Sequence, residues 1–165
     1  MNVFMPRESV SESIQALDDA RLRKQILECK VLLESAIAYQ NGEKPNGYFK
    51  HPVAQHYKDY PRFLMAYGYI CCVEYFLRFN KHHGFIIYFC NAIGNVNDIT
   101  SLTPIIYAEG RKDTPECIRT TDPDKVYDFF KQKLIKKWKV DAEKGRPPKW
   151  TNRGCPEWAK GDLQE

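Results

Sequence analysis

The sequence predicts a mainly α protein: a single compact all-helical domain of three long helices, with irregular loops and an aromatic, basic C-terminal tail. Three observations predict it. Apolar residues recur at helical steps of three and four in three separate stretches, cap and breaker residues bound those stretches, and 165 residues with 43% apolar composition suffice for one core. The composition is neither that of a disordered chain nor that of a membrane protein, because no apolar run approaches the ~20 residues that span a bilayer.

Ser11 is the predicted cap of a short turn or helix through Leu17. Asp18 is the predicted N-cap of a long helix from Asp19 to about Gln40, which stops before Asn41-Gly42. On that helix Leu22, Ile26, Cys29, Leu33 and Ile37 form one apolar stripe. The two Asn-Gly pairs and two prolines of residues 41–52 predict a loop. His51-Pro52 then opens a short segment, Asp59 can cap the next helix, and Pro61 suits its first turn. Phe63, Tyr67, Ile70, Cys71, Glu74 and Leu77 keep helical spacing towards Gly84. His82 and His83 read as cationic groups meeting the dipole at that helix's end.

Residues 85–121 are ambiguous: FIIYFC suits a strand or a buried helical turn, and Gly, Asn, Asp and Pro then predict a loop region. Asp122-Pro123 starts a helix running to Gly145, with Val126, Phe130, Leu134 and Trp138 every four residues. The remaining tail is expected to be extended or turned and held to the body by its tryptophans. The whole chain, 1–165, is read as one domain.

The N-terminal MNVFMPRESV lacks the basic and apolar parts of a secretory signal, so a cytoplasmic, reducing compartment is expected for the six cysteines. None of them stands at C-x2-C spacing, no metal or organic cofactor is expected, and Cys71 and Cys72 read as small core hydrophobes. Charge is uneven. Residues 125–160 hold eleven Lys and Arg against four acids, among them Trp138, Trp150 and Trp158. Such a region suits phosphate contacts interleaved with base-stacking rings, or equally a solvated lysine-rich face over buried tryptophans.

The first long helix carries the candidate chemistry. At 100° per residue Arg21 lies about 20° from Glu28 and Lys24 about 40° away on the other side, opposite the apolar stripe. A carboxylate flanked by cations can bind a phosphate-bearing substrate and do acid or base work on it. Spacing alone favours an i,i+4 surface pair.

The run ALDDARLRKQILE (16–28), the later HPVAQHYKDYPRFLMAYGYICCVEYFLRFNKHHGF and the tail GRPPKW together resemble the small pyrimidine-dimer DNA glycosylases similar to phage endonuclease V. The resemblance covers residues 1–85 and about 122–151 and rests on the order of the motifs; it leaves residues 86–121 as a divergent, insertion-like region. It implies an all-helical DNA N-glycosylase with AP lyase activity, with Glu28 as the catalytic carboxylate. It also implies an N-terminal amine that attacks C1′ of a damaged nucleotide. The family exposes a small second residue. Here that residue is Asn2, whose bulk favours retention of Met1 and hence the Met1 amine as nucleophile. Arg21 stands at the family's partner-histidine position and Leu27 at an arginine position. The expected DNA or substrate contacts are Arg21, Lys24, Arg146, Lys149, Trp150 and Arg153. The expected partner is DNA, with the host cytoplasm as location if the chain is phage-encoded. Two other readings stay open at this point: a descendant that binds or hydrolyses a small nucleotide-like ligand, and a non-catalytic DNA-binding protein.

Overall fold

In the computed structural model, residues 3–93 and 122–163 are described. These residues form seven α-helices and one 3₁₀ turn, and no strand occurs among them. The helices are α1 (Val10–Gln15), α2 (Asp19–Gln40), α3 (Pro52–Tyr57), α4 (Pro61–Phe79), α5 (Ile86–Ile93), α6 (Pro123–Glu143) and α7 (Glu157–Leu163). Three of them are long, as periodicity predicts. No helix is long and apolar enough to cross a membrane among the described residues.

The stripe Leu22, Ile26, Cys29 and Leu33 is fully buried, and α2 packs along α4, which contributes Leu64, Tyr67, Cys71 and Cys72. Helix α6 closes the core with the predicted Val126, Phe130, Leu134 and Trp138. Its Asp122 side chain accepts from the Asp124 N–H, so cap and N-terminal proline both fall where predicted.

Several expectations need correction. Ser9, not Ser11, caps α1, because the buried Ser13 hydroxyl binds the Arg7 backbone on both its N–H and its C=O and turns the chain two residues early. Tyr60, not Asp59, precedes α4, since the chain is still winding out of α3 with Tyr60 N–H on Tyr57 C=O. The 41–52 segment contains a 3₁₀ turn at Gly47–Lys50. Helix α4 stops at Phe79, well before Gly84, because Asn80 takes the left-handed conformation (φ 49°) that ends helices. His83 does not serve as a cation on that helix end. His82 stacks on Phe76, while His83 accepts the Phe85 N–H and burial lowers its pKa, favouring the neutral ring.

FIIYFC contributes to helix α5; residues 94–121 lie outside the described part. The tail is not wholly extended, for α7 forms at its end with Trp158 stacked on Trp138. The three tryptophans of the basic region pack together. Trp138 is fully buried with its indole N–H on Asp18, and the rings of Trp150 and Trp158 lie against it.

A buried cation that the sequence reading missed ties the ends of these helices together. Arg78 is 1% exposed and donates to Glu74 (2.7 Å), Asp19 (3.1 Å) and the carbonyls of Leu17 (2.8 Å) and Gln15 (3.0 Å). Glu74 also receives both arms of Arg153, and Asp19 receives the Thr151 N–H and hydroxyl. One guanidinium thus fixes the elbow between α1 and α2, the end of α4 and residues 151–153, and its charge is fully paired.

Gly68 is the close-approach point of α4 and α5: a Cβ there would overlap the Phe89 ring, which is fully buried. Gly68→Ala is therefore expected to destabilise the protein by about 1–3 kcal/mol in urea titrations, although alanine is the better helix former. In a Phe89→Ala background the same change should instead stabilise by up to about 1 kcal/mol, since only helix propensity then remains.

Candidate active site

Glu28 lies on α2 one turn beyond Lys24 and Gln25, and only 9% of it is exposed, so it is not surface decoration. Gln25 is the reason. Its Nε2 donates to Glu28 Oε2 (2.9 Å), and its Oε1 accepts the Phe4 N–H (3.2 Å). The Tyr67 hydroxyl donates to the Phe4 carbonyl (2.8 Å) and sits 3.2 Å from the same Gln25 oxygen. Burial pushes the Tyr67 pKa well up, so this hydroxyl keeps its proton. The amide therefore links the start of the chain, the middle of α4 and the Glu28 carboxylate in one buried network. Val3, Phe4 and Met5 are all buried beside it. Met1 and Asn2 lie outside the described residues.

A cleft of about 280 Å³ opens beside this network, lined by Phe4, Ala20, Arg21, Lys24, Gln25, Glu28, Lys137 and Asp141. Its charges play different parts. Lys24 is well exposed, with Nζ 3.6 Å from Glu28 Oε1. Arg21 is a strut: it pairs with Asp18 (3.1 Å) and with Asp141, and it reaches the Lys137 carbonyl, joining α2 to α6. Its hydrogen bond holds the Asp141 carboxyl below the usual range. Asp18 accordingly caps nothing with its side chain; its two oxygens serve Arg21 and Trp138. Lys137 and, one turn earlier, Lys133 are cations that sequence reasoning did not single out. Lys133 and Glu28 both act on the electrostatics of His51. Their i,i+4 spacing along the edge of the Phe130–Leu134 stripe was the available signal.

The tail residues divide. Arg146 and Lys149 are exposed and line a second hollow of about 300 Å³, which adjoins the Glu28 cleft and shares Ala20, Arg21 and Asp141 with it. Arg146 is 3.2 Å from Asp141. Arg153 is elsewhere, pinned by Glu74, whose hydrogen bonds raise its pKa further. Trp150 is half-buried, its indole N–H on the Ala16 carbonyl, so it fastens the tail instead of offering a ring to a base. Leu27, at the family's arginine position, is half exposed and apolar. Among the described residues no group of three His, Cys, Asp or Glu is placed to hold a metal ion.

The fold and the site together make an all-helical frame with a carboxylate and several cations in a cleft beside the chain's N-terminal segment. The family model described as pyrimidine dimer DNA glycosylase matches residues 1–87, just over half of the chain, and the chain belongs to that family. Nothing among the curated proteins matches it, nor does any solved structure. DNA is the substrate class that goes with the family.

If Lys133 and Lys137 contact phosphates, replacing either by alanine should lower duplex affinity and make the plot of log affinity against log salt shallower by about 0.9 per lysine. Arg153→Ala should leave that slope unchanged and lower the melting temperature instead, because its partner Glu74 is buried. Filter-binding or anisotropy titrations across a salt series measure both.

Proposed function

We propose that this protein is a DNA glycosylase with an associated AP lyase step, acting on damaged or modified duplex DNA through Glu28 and the amine of Met1. The observation that carries the reading is the Phe4–Gln25–Glu28 chain of hydrogen bonds, which anchors the N-terminal segment to the helix turn holding the carboxylate. Met1 is two residue steps from Val3, a reach of at most about 7 Å. An α-amine titrates near pH 8, so a usable fraction is unprotonated at neutral pH without a dedicated base.

In this scheme the neutral amine attacks C1′ as the N-glycosidic bond breaks, and the base leaves with that bond's electron pair and takes up a proton. Glu28 accepts the proton shed by the attacking nitrogen and returns it to O4′ as the sugar ring opens, leaving an iminium at C1′. Its negative charge also stabilises the cation developing there, an effect strengthened by partial exclusion from water. Loss of a C2′ proton from the iminium then expels the 3′ phosphate. Lys24 and Lys137, which line the cleft, hold the phosphates that flank the nucleotide, and Arg146 and Lys149 extend that track along the adjoining hollow. Arg21 acts as the strut that keeps α6 against α2.

Glu28→Gln is expected to lower the rate on a cyclobutane-dimer duplex by about 10²–10⁴-fold with little change in duplex affinity. Borohydride should trap a covalent protein–DNA adduct in the parent protein. Extending the chain by two residues ahead of Met1 should abolish the adduct while leaving the melting temperature in place. Full activity in Glu28→Gln, or trapping that survives the extension, contradicts the scheme.

A further inference from the structure

Leu27 directly precedes Glu28 on α2, and 50% of it lies open to solvent. Around the helix axis it stands about 100° from Ile26 of the buried stripe, about 40° from Arg23 and about 60° from Lys24. With the exposed Ala20, Arg23 and Lys24 it forms the crest of the helix. Long side chains on a helix lean towards its N-terminus, so the Leu27 hydrocarbon covers the preceding turn, between Arg23 and Lys24. Lys24 lines the Glu28 cleft, Arg23 lines the adjoining hollow, and Ala20 belongs to both walls. The leucine therefore stands on the ridge between the two hollows, one residue from the carboxylate. Arg23 also lies over the Phe79 ring (4.8 Å to its centroid), and one turn further on Lys30 lies over Phe85 and Tyr88 and pairs with Glu34. An exposed apolar side chain is thus set among cations at the mouth of the site.

We propose that Leu27 is an apolar wedge for the duplex, its side chain filling the gap left in the base stack when the damaged nucleotide is drawn to Glu28. The inference rests on the reading of Glu28 given above. That carboxylate is only 9% exposed, so C1′ of a nucleotide reaches it only if the nucleotide leaves the stack, which costs stacking energy. A hydrocarbon group beside the cleft offsets part of that cost by taking the vacated place, as leucine does in proteins that unstack a base step. A cation at the same position would hold to the phosphates instead. Arg23 and Lys24, on the turn that Leu27 covers, are placed for the phosphates on its two sides. The wedge makes its contact only where the stack opens, so it favours damaged, weakly stacked sites over intact duplex without reading sequence. The sequence hid this role, since one leucine outside an apolar stripe reads as ordinary surface.

Single-turnover rates on a duplex carrying one cyclobutane thymine dimer, Kd for undamaged duplex across a salt series, and melting temperature are measured for the parent protein, Leu27→Ala, Leu27→Met, Leu27→Arg and Glu28→Gln. Leu27→Ala is expected to turn over at least tenfold more slowly while keeping its melting temperature, undamaged-duplex Kd and salt slope. Leu27→Met, which retains the hydrocarbon, stays within threefold of the parent rate. Leu27→Arg binds undamaged duplex more tightly with a steeper salt slope, yet turns over as slowly as Leu27→Ala. In a Glu28→Gln background, 2-aminopurine placed beside the dimer brightens on binding, and adding Leu27→Ala removes most of that rise. A Leu27→Ala rate within twofold of the parent, with Glu28→Gln inactive, overturns this proposal alone. So does a Leu27→Arg protein faster than the parent, which would mark the position as a charge contact. An active Glu28→Gln overturns the site reading and this proposal with it.

Discussion

The side-chain amide of Gln25 is the constraint on which the site depends. It has one acceptor and one donor end, and both are used inside the protein: Oε1 holds the Phe4 backbone and Nε2 holds Glu28. Buried amides without partners are costly, so each of these bonds stabilises the arrangement more than an exposed one would. The result is that the carboxylate and the beginning of the chain are positioned by the same group. A carboxylate left to itself on a helix surface would point into water. This one is turned towards Phe4 and the cleft walls, and the protonated Tyr67 hydroxyl fixes the Phe4 carbonyl from the opposite element.

Charge is divided by burial into two tasks. The buried or tethered groups build the frame: Arg78 binds the α1–α2 elbow to α4, Arg153 binds the tail to Glu74, and Arg21 binds α2 to α6 through Asp18 and Asp141. The more exposed ones face the solvent side of the cleft and its neighbouring hollow: Lys24, Arg146 and Lys149. Net charge along the sequence cannot make that distinction, because an arginine with three acceptors inside the protein and a lysine in water count alike. The same holds for the tryptophans. Their place in a basic tail suits a nucleic-acid surface, yet Trp138 is core and the other two fasten the tail onto it.

What was legible in the sequence was whatever local periodicity and caps decide. Both bounds of α2, its buried stripe, the Asp122-Pro123 start of α6 and the in-helix proline of α4 follow from such rules. The position of Glu28 on the polar side of α2 was legible as well, whereas its partial burial was not, since that depends on Gln25 meeting Phe4 from 21 residues away. Helix α5 was ambiguous because Ile86, Ile87, Tyr88 and Phe89 suit strands by propensity; the slot at Gly68 that receives Phe89 exists only in the folded packing. Arg78 was invisible for a related reason. Glu74 and Arg78 look like any i,i+4 surface pair until α1, α2 and the tail converge on them.

The central claim, that the N-terminal amine and the Glu28 carboxylate share one cleft, is tested most directly by titrating that amine. With nitrogen-15 in Met1, its pKa is followed by NMR in the parent protein and in Glu28→Gln, without substrate. A nearby carboxylate favours the ammonium form, so the account predicts that removing its charge lowers the amine's pKa by about half a unit or more. Identical titration curves in the two proteins would contradict it.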